Sequence, residues 1–312
     1  MTRTALLFAG QGAQVVGMGR DLAAQHPTAK ALFDRADQIL GCDLSRIAFE
    51  GPEAELTKTE YAQPAIYLVS WVALELLRAR VPDLRFEATA GLSLGEFTAL
   101  AAAGALSFED GLRITRSRGR FMQEACEATR GGMAAIIGLD EEPTRRACDE
   151  AGVELANLNC PGQLVISGEL DRIAKACELA KGFGAKRALP LTVAGAYHSR
   201  LMAGAQPRLA AELAGVAIQA PAIPVVANVT ARPHDGPPAL QALLVQQVCA
   251  PVRWEASIRF LVAEGFNRFI ELGPGKALSG FMKRIAPEAQ MLNVADAASL
   301  EATVEALRSS RA

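Results

Sequence analysis

The 312-residue sequence is poor in the features that would announce a ligand class at once. Its formal net charge is only −2, and no basic run exceeds two or three residues. Electrostatic support for binding nucleic acid or an anionic membrane surface is therefore missing. The six cysteines (Cys42, Cys126, Cys148, Cys160, Cys177, Cys249) are scattered, with no C-x-x-C pair. That excludes a zinc or dithiol motif and favours reduced, buried thiols. Long apolar runs are also lacking. "PAIYLVSWVALELL" is short for a span and contains Glu75, so it reads as a buried core helix. The N-terminal "MTRTALLFAGQG" stays apolar for too few residues to form a signal h-region, and a cytoplasmic protein is expected. There is no low-complexity block and no repeat of solenoid period. With half its residues hydrophobic, the chain can bury one large core or two moderate ones.

Two glycine-rich turns fall short of nucleotide motifs. Gly10-Gln11-Gly12 continues as Ala13-Gln14-Val15, without the third glycine of G-x-G-x-x-G and without an acidic ribose ligand further on. "GPGKALSG" lacks P-loop spacing, so Lys276 does not point to ATP.

Strands that end in glycine and lead into helices recur at "ALLFAGQG", at "EATAGLSLGEF" and, after the strand "IPVVANV", at "RFIELGPGKALSG". This alternation indicates an α/β protein with a mainly parallel sheet, whose reactive groups lie at the carboxyl ends of strands. The middle of the chain reads differently. Strand "MAAIIGL", helix "EEPTRRACDEAG", strands "VELANLN" and "QLVISG", helix "LDRIAKACELAKGFG" and strand "KRALPLTV" follow in the order β-α-β-β-α-β. That is the ferredoxin-like order. A small ferredoxin-like subdomain over residues 129–196 is thus expected, inserted into a larger one formed by residues 1–128 and 197–312, with a cleft between them.

Gly91-Leu92-Ser93-Leu94-Gly95 fits the G-x-S-x-G turn that exposes a nucleophile between a strand and a helix. A turn that merely caps a helix would look similar. The strand before it and the helix-forming "LGEFTALAAAGAL" after it supply the context the nucleophile needs, and a helix N-terminus offers N–H groups to an oxyanion. Serine also requires a base. Of three histidines, His26 sits at a polar helix end and His234 in the exposed-looking loop "ARPHDGPPA". His198, in "LTVAGAYHSRLM" where the chain re-enters the larger unit, is the one placed to face a cleft. The helix around "ITRSRGRFMQEAC" carries Arg113, Arg116, Arg118 and Arg120. Any one turned inward would favour a carboxylate-bearing acyl group, and periodicity does not choose among them.

Taken in order, "FAGQGAQVVGMG", "YAQPA", "GLSLGEFTALAAAGALS", "RGRFMQEA", "NCPGQLVISG", "GAYHSRLM" and "ELGPGKALSGFMKRI" resemble the malonyl-CoA:acyl-carrier-protein transacylases and the acyltransferase domains of polyketide synthases. The resemblance spans essentially the whole chain. It implies an α/β-hydrolase-like large subdomain with a ferredoxin-like insertion, and a ping-pong transfer from malonyl-CoA to the phosphopantetheine thiol of acyl carrier protein. It further implies Ser93 as the acylated nucleophile, His198 as its base, the Gln11 and Leu94 N–H groups as oxyanion hole, and the Gln247 main-chain carbonyl as the group orienting His198. Arg118 would pair with the malonyl carboxylate, with Gln63 and Asn159 in the cleft. No bound cofactor is implied, and a monomer is expected. The family's histidine before the nucleophile is replaced by Leu92, beside the acyl pocket, which puts acyl selectivity in question. Tyr197, before His198, resembles malonyl-selecting members because a bulky aromatic leaves little room for an α-methyl group. Lys186, Arg187, Arg200, Lys276, Lys283 and Arg284 are candidate docking residues for an acidic carrier protein. A serine esterase or thioesterase with water as acceptor, and a non-catalytic carrier-binding scaffold, remain alternatives.

Overall fold

The computed structural model describes residues 2–309. Its strands are β1 (Arg3–Phe8), β2 (Ala88–Gly91), β3 (Gly131–Ile137), β4 (Glu154–Cys160), β5 (Gln163–Glu169), β6 (Arg187–Pro190), β7 (Val225–Val226), β8 (Phe266–Leu272) and β9 (Gln290–Val294). Five form a parallel sheet in the order β7-β2-β1-β8-β9. Both faces of such a sheet are covered by helices, which is why "ALLF" in β1 is apolar without alternation and buried throughout. The chain leaves β1 toward β2 on one side and later returns to β8 on the other, so β1 marks the point where strand order reverses. Ligands of open α/β sheets bind outside the carboxyl ends of strands at such a point. Register brings Phe8 level with both Gly91 and Leu272, so the turns after β1, β2 and β8 open onto one region.

The expected core helix is Thr59–Arg80, buried from Ala62 to Leu77 over most of its surface. Pro64 lies inside it and removes the N–H that would bond the Glu60 carbonyl. Arg116 Nη1 donates to that carbonyl instead, at 3.1 Å. The partner helix Phe108–Ala128 comes so close that a Cβ on Gly119 would lie 2.4 Å from the Thr59 carbonyl oxygen. This close crossing sets Gln63 opposite Arg118.

The other four strands form a wholly antiparallel sheet in the order β4-β5-β3-β6. Helices Glu141–Ala151 and Leu170–Gly182 pack on it around a separate apolar core that includes Ile136, Leu155, Ile166 and Ile173. The β-α-β-β-α-β order is as expected. The last strand stops at Pro190 rather than running through Val193, with one further bond from the Leu191 N–H to the Met133 carbonyl; as an edge strand it tolerates the proline. Residues 191–197 then lead into His198.

All six cysteines are free, with Cys126, Cys148, Cys160 and Cys177 buried. Among the described residues, no helix is long and apolar enough to cross a membrane.

Candidate active site

Ser93 occupies the turn between β2 and helix Gly95–Ala102, with φ +54°, a left-handed conformation that is strained for a residue with a Cβ. The flanking glycines are required by close approach. A Cβ on Gly91 would lie 1.9 Å from the Gly95 carbonyl oxygen, and one on Gly95 would lie 2.3 Å from that of Phe8. Asn228, just beyond β7, braces the turn from below. Its Oδ1 accepts from the Ser93 N–H at 2.6 Å, and its Nδ2 donates to the Gly91 carbonyl at 2.7 Å.

His198 also has positive φ, +58°. Its Nε2 lies 2.8 Å from Ser93 Oγ and its Nδ1 lies 2.8 Å from the Gln247 main-chain oxygen. A carbonyl only accepts, so the ring proton belongs on Nδ1 and the Nε2 lone pair faces the serine hydroxyl. Burial and the nearby Arg118 charge push the His198 pKa down to about 4, against the opposing pull of the Gln247 and Ala250 carbonyls. The imidazole is thus a neutral proton acceptor at pH 7.

Of the four arginines on the Phe108–Ala128 helix, Arg118 is the one turned inward, 1 % exposed. Arg113 and Arg120 are exposed and Arg116 is half-buried. Arg118 Nη1 donates to Gln63 Oε1 at 2.7 Å, and Nη2 donates to Gln247 Oε1 at 2.9 Å and to Ser93 Oγ at 3.0 Å. Its guanidinium also stands over the Phe97 ring, 5.5 Å from the centroid. Among the described residues, no carboxylate hydrogen-bonds to it. Burial lowers its pKa to about 10, partly offset by the charge of Glu96. A buried guanidinium held by neutral oxygens, with Nε unpartnered, is a cation prepared for an incoming anion.

A cavity of about 390 Å³ opens over Ser93 and His198, lined from the parallel-sheet side also by Gln11 and Leu92 and from the antiparallel one by Asn157 and Asn159. It therefore lies between the two sheets, where a cleft was expected. Among the described residues, the Gln11 and Leu94 backbone N–H groups have no protein acceptor. Leu94 is the N-cap of helix Gly95–Ala102, so its N–H sits at the positive end of that helix. Leu92 is packed against Gly10, where an added Cβ would come within 2.7 Å of Leu92 Cδ2. The Tyr197 hydroxyl meets Thr59 Oγ1 at 2.5 Å, and burial raises its phenol pKa. Gln63 Nε2 donates to Gln11 Oε1 at 3.2 Å. Asn159 is buried with Oδ1 unpartnered. Of the residues singled out from sequence, Gln11, Leu92, Ser93, Asn159, Tyr197 and His198 line this cavity, while Gln63, Arg118 and Gln247 do not but are hydrogen-bonded to Gln11 or Ser93.

Two expectations need correction. His234 is not in an exposed loop: its side chain is fully buried, and its Nε2 meets Glu96 Oε1 at 2.8 Å. The polar, proline-rich surroundings of His234 concealed this, because its partner Glu96 is 138 positions away. Arg200 is a poor docking candidate, since Glu154 and Glu169 both hold its guanidinium. Arg284 is likewise engaged by the Pro161 carbonyl, though by no carboxylate. Lys186, Arg187, Lys276 and Lys283 are exposed, and among the described residues no ion pair engages them. Asn228, Glu96 and the side chain of Gln247 were not foreseen. The one local hint was Glu96, an acidic residue in the first turn of an otherwise apolar helix.

Residues 5–305 match the family described as acyl transferase domain. The malonyl CoA-acyl carrier protein transacylase of Bacillus subtilis is 46 % identical, covering 99 % of this chain and 98 % of its own. The polyketide biosynthesis protein ThaF of Burkholderia thailandensis is 44 % identical over 91 % of this chain but only 24 % of its own length. Among solved structures, a malonyl-transacylase in complex with a type II polyketide synthase acyl-carrier protein superposes with a TM-score of 0.94. It is 38 % identical, with 98 % of this chain and 100 % of that one covered.

Proposed function

This chain belongs to the acyl transferase domain family, and from that premise we propose that it moves a malonyl group from malonyl-CoA to the phosphopantetheine thiol of an acyl carrier protein. The observation that carries this reading is the buried Arg118 guanidinium 3.0 Å from Ser93 Oγ. A malonyl group bonded to that oxygen has its carboxylate two carbons beyond the reacting carbonyl, within reach of the same fork.

Ser93 Oγ attacks the thioester carbonyl as its proton passes to His198 Nε2. The tetrahedral oxyanion accepts hydrogen bonds from the Gln11 and Leu94 N–H groups, each a contribution of about 3–4 kcal/mol where such donors have been removed in other enzymes. Collapse breaks the carbon–sulfur bond, and coenzyme A leaves with the proton from His198. The carrier thiol then attacks malonyl-Ser93, giving its proton to His198, which returns it to Ser93 Oγ. The Gln247 carbonyl takes the place that a carboxylate holds in a Ser-His-Asp triad, keeping the tautomer fixed without adding charge. Acetyl groups are disfavoured because they leave the buried guanidinium unpaired. Leu92 and Tyr197 shape the acyl pocket, and Asn159 is a donor and acceptor for the pantetheine arm.

The larger unit, residues 1–128 and 197–312, is read as α/β-hydrolase-like and residues 129–196 as a ferredoxin-like insertion, a division supported by two separate sheets with separate cores. The protein is read as cytoplasmic and monomeric, serving fatty-acid synthesis or a polyketide assembly line in trans. An acidic carrier would approach over Lys186, Arg187, Lys276 and Lys283. Mixing the protein with malonyl-CoA and then with carrier protein, loaded or not with phosphopantetheine, tests the reading. A malonyl-enzyme that hands its acyl group to the loaded carrier and is stable without it is expected. Rapid hydrolysis without carrier would instead favour the esterase.

A further inference from the structure

We propose that Glu96 is a positioning residue for acyl selection: it fixes which way the Gln247 side-chain amide points, and that amide holds Arg118 at Ser93. The inference rests on reading Arg118 as the malonyl-carboxylate site. Glu96 and Gln247 are both buried. Glu96 Oε2 accepts from Gln247 Nε2 at 2.6 Å and from the Asn228 N–H at 3.1 Å, while Oε1 accepts from His234 Nε2 at 2.8 Å. Gln247 Nε2 also donates to the Ser93 carbonyl at 3.0 Å, which leaves Oε1 to accept from Arg118. The amide thus lies between a carboxylate and a guanidinium. Reversed, it would present NH2 to a cation and oxygen to an anion and a carbonyl, which is unfavourable at both ends.

A carboxylate is needed because three donors converge on residue 96 from two sides, and only an acceptor at both oxygens satisfies them. Glutamine there has a single oxygen. If that oxygen serves His234, its NH2 faces Gln247 and Asn228 and drives the Gln247 amide to reverse against Arg118. If it serves Gln247 and Asn228, His234 must move its proton to Nδ1, a buried atom with no partner among the described residues. Either arrangement leaves a buried donor unsatisfied. Gln247 serves the two tasks through different groups, holding His198 by its main-chain oxygen and Arg118 by its side chain, although Arg118 and Gln247 Nε2 also touch Ser93. Disturbing Glu96 should therefore damage recognition of the acyl carboxylate more than proton transfer.

The test is the rate of Ser93 acylation by malonyl-CoA and by acetyl-CoA, read by intact mass in single turnovers across a range of concentrations. Wild type, Glu96→Gln, Arg118→Ala and the double variant are compared. In Glu96→Gln the preference for malonyl over acetyl should fall about ten-fold or more, as expected for a disturbed hydrogen bond to a charged group. Acetylation should fall by a clearly smaller factor than malonylation, the split that separates lost recognition from lost chemistry. In the Arg118→Ala background the substitution should change the preference no further. Equal losses with both acyl groups, an unchanged preference, or a full effect persisting without Arg118 would each overturn the proposal. If Glu96→Gln does not fold, Glu96→Asp, which keeps the charge but shortens the reach to Gln247 Nε2, should lower the malonyl preference in the same direction, and an unchanged preference or equal losses there overturn it too. Wild-type protein that is never malonylated at Ser93 would instead overturn the proposed function, and this inference with it.

Discussion

Arg118 donates to Ser93 Oγ across 3.0 Å, so the residue read as the acyl-carboxylate site touches the nucleophile before any substrate arrives. The contact couples two tasks. The guanidinium helps hold the hydroxyl and presses down the pKa of His198 from the other side. An incoming carboxylate would neutralise that charge and raise the basicity of His198 as the substrate seats.

Replacing Arg118 with alanine should thus lower malonyl acylation by two orders of magnitude or so, the scale of a lost charged hydrogen-bond pair, about 1.5–3 kcal/mol. Acetyl acylation should fall less, so the preference shifts toward uncharged groups. Competition between malonyl-CoA and acetyl-CoA measures this, and an unchanged preference would remove Arg118 from acyl recognition.

His198 should remain neutral, with its proton on Nδ1, at pH values where an ordinary histidine is half charged. Nitrogen-15 NMR of the imidazoles reads the tautomer directly. Because the folded pKa lies near 4, below the unfolded value, the unfolded chain binds more protons between about pH 6.5 and 4. Stability should therefore drop as pH falls through that window. His198→Gln should show a shallower drop than wild type over the same range, and equal slopes would contradict the assignment.

The nucleophile turn should not tolerate a methyl group. Gly91→Ala would force a Cβ to within 1.9 Å of the Gly95 carbonyl oxygen, a backbone atom that cannot swing away. A loss of about 1–3 kcal/mol or more in unfolding free energy is expected from such overpacking, checked by denaturant titration.

Asn228→Ala should slow acylation about 10–100-fold while leaving the protein folded, since it removes the acceptor of the buried Ser93 N–H and the donor to the Gly91 carbonyl. Rapid-quench measurement of the malonyl-enzyme checks it, with circular dichroism as the control for folding.

The sequence revealed those parts of the site whose chemistry is local. The Gly-x-Ser-x-Gly turn is defined within five residues, and the scarcity of histidine left His198 as the candidate base. Four strands of the parallel sheet and all four of the antiparallel one could be read from apolar runs and their spacing, but the edge strand β9, with Val294 its one buried residue, was not, and β6 ended early at Pro190. What escaped were contacts across the fold. Asn228 meets Ser93 over 135 positions, and Glu96 meets Gln247 over 151. His234 looked solvent-exposed from its neighbours, yet its side chain is buried against Glu96, which it meets only in the folded chain. Arg200 could not be told from other surface arginines until Glu154 and Glu169 were seen to hold it.

The most direct test of the central claim, that Ser93 carries the acyl group between two thiols, is intact-mass analysis after mixing with malonyl-CoA. A single malonyl adduct is predicted on the wild-type chain, absent in Ser93→Ala and discharged by phosphopantetheine-bearing carrier protein. No adduct on the wild type, or one that persists in Ser93→Ala, would contradict it.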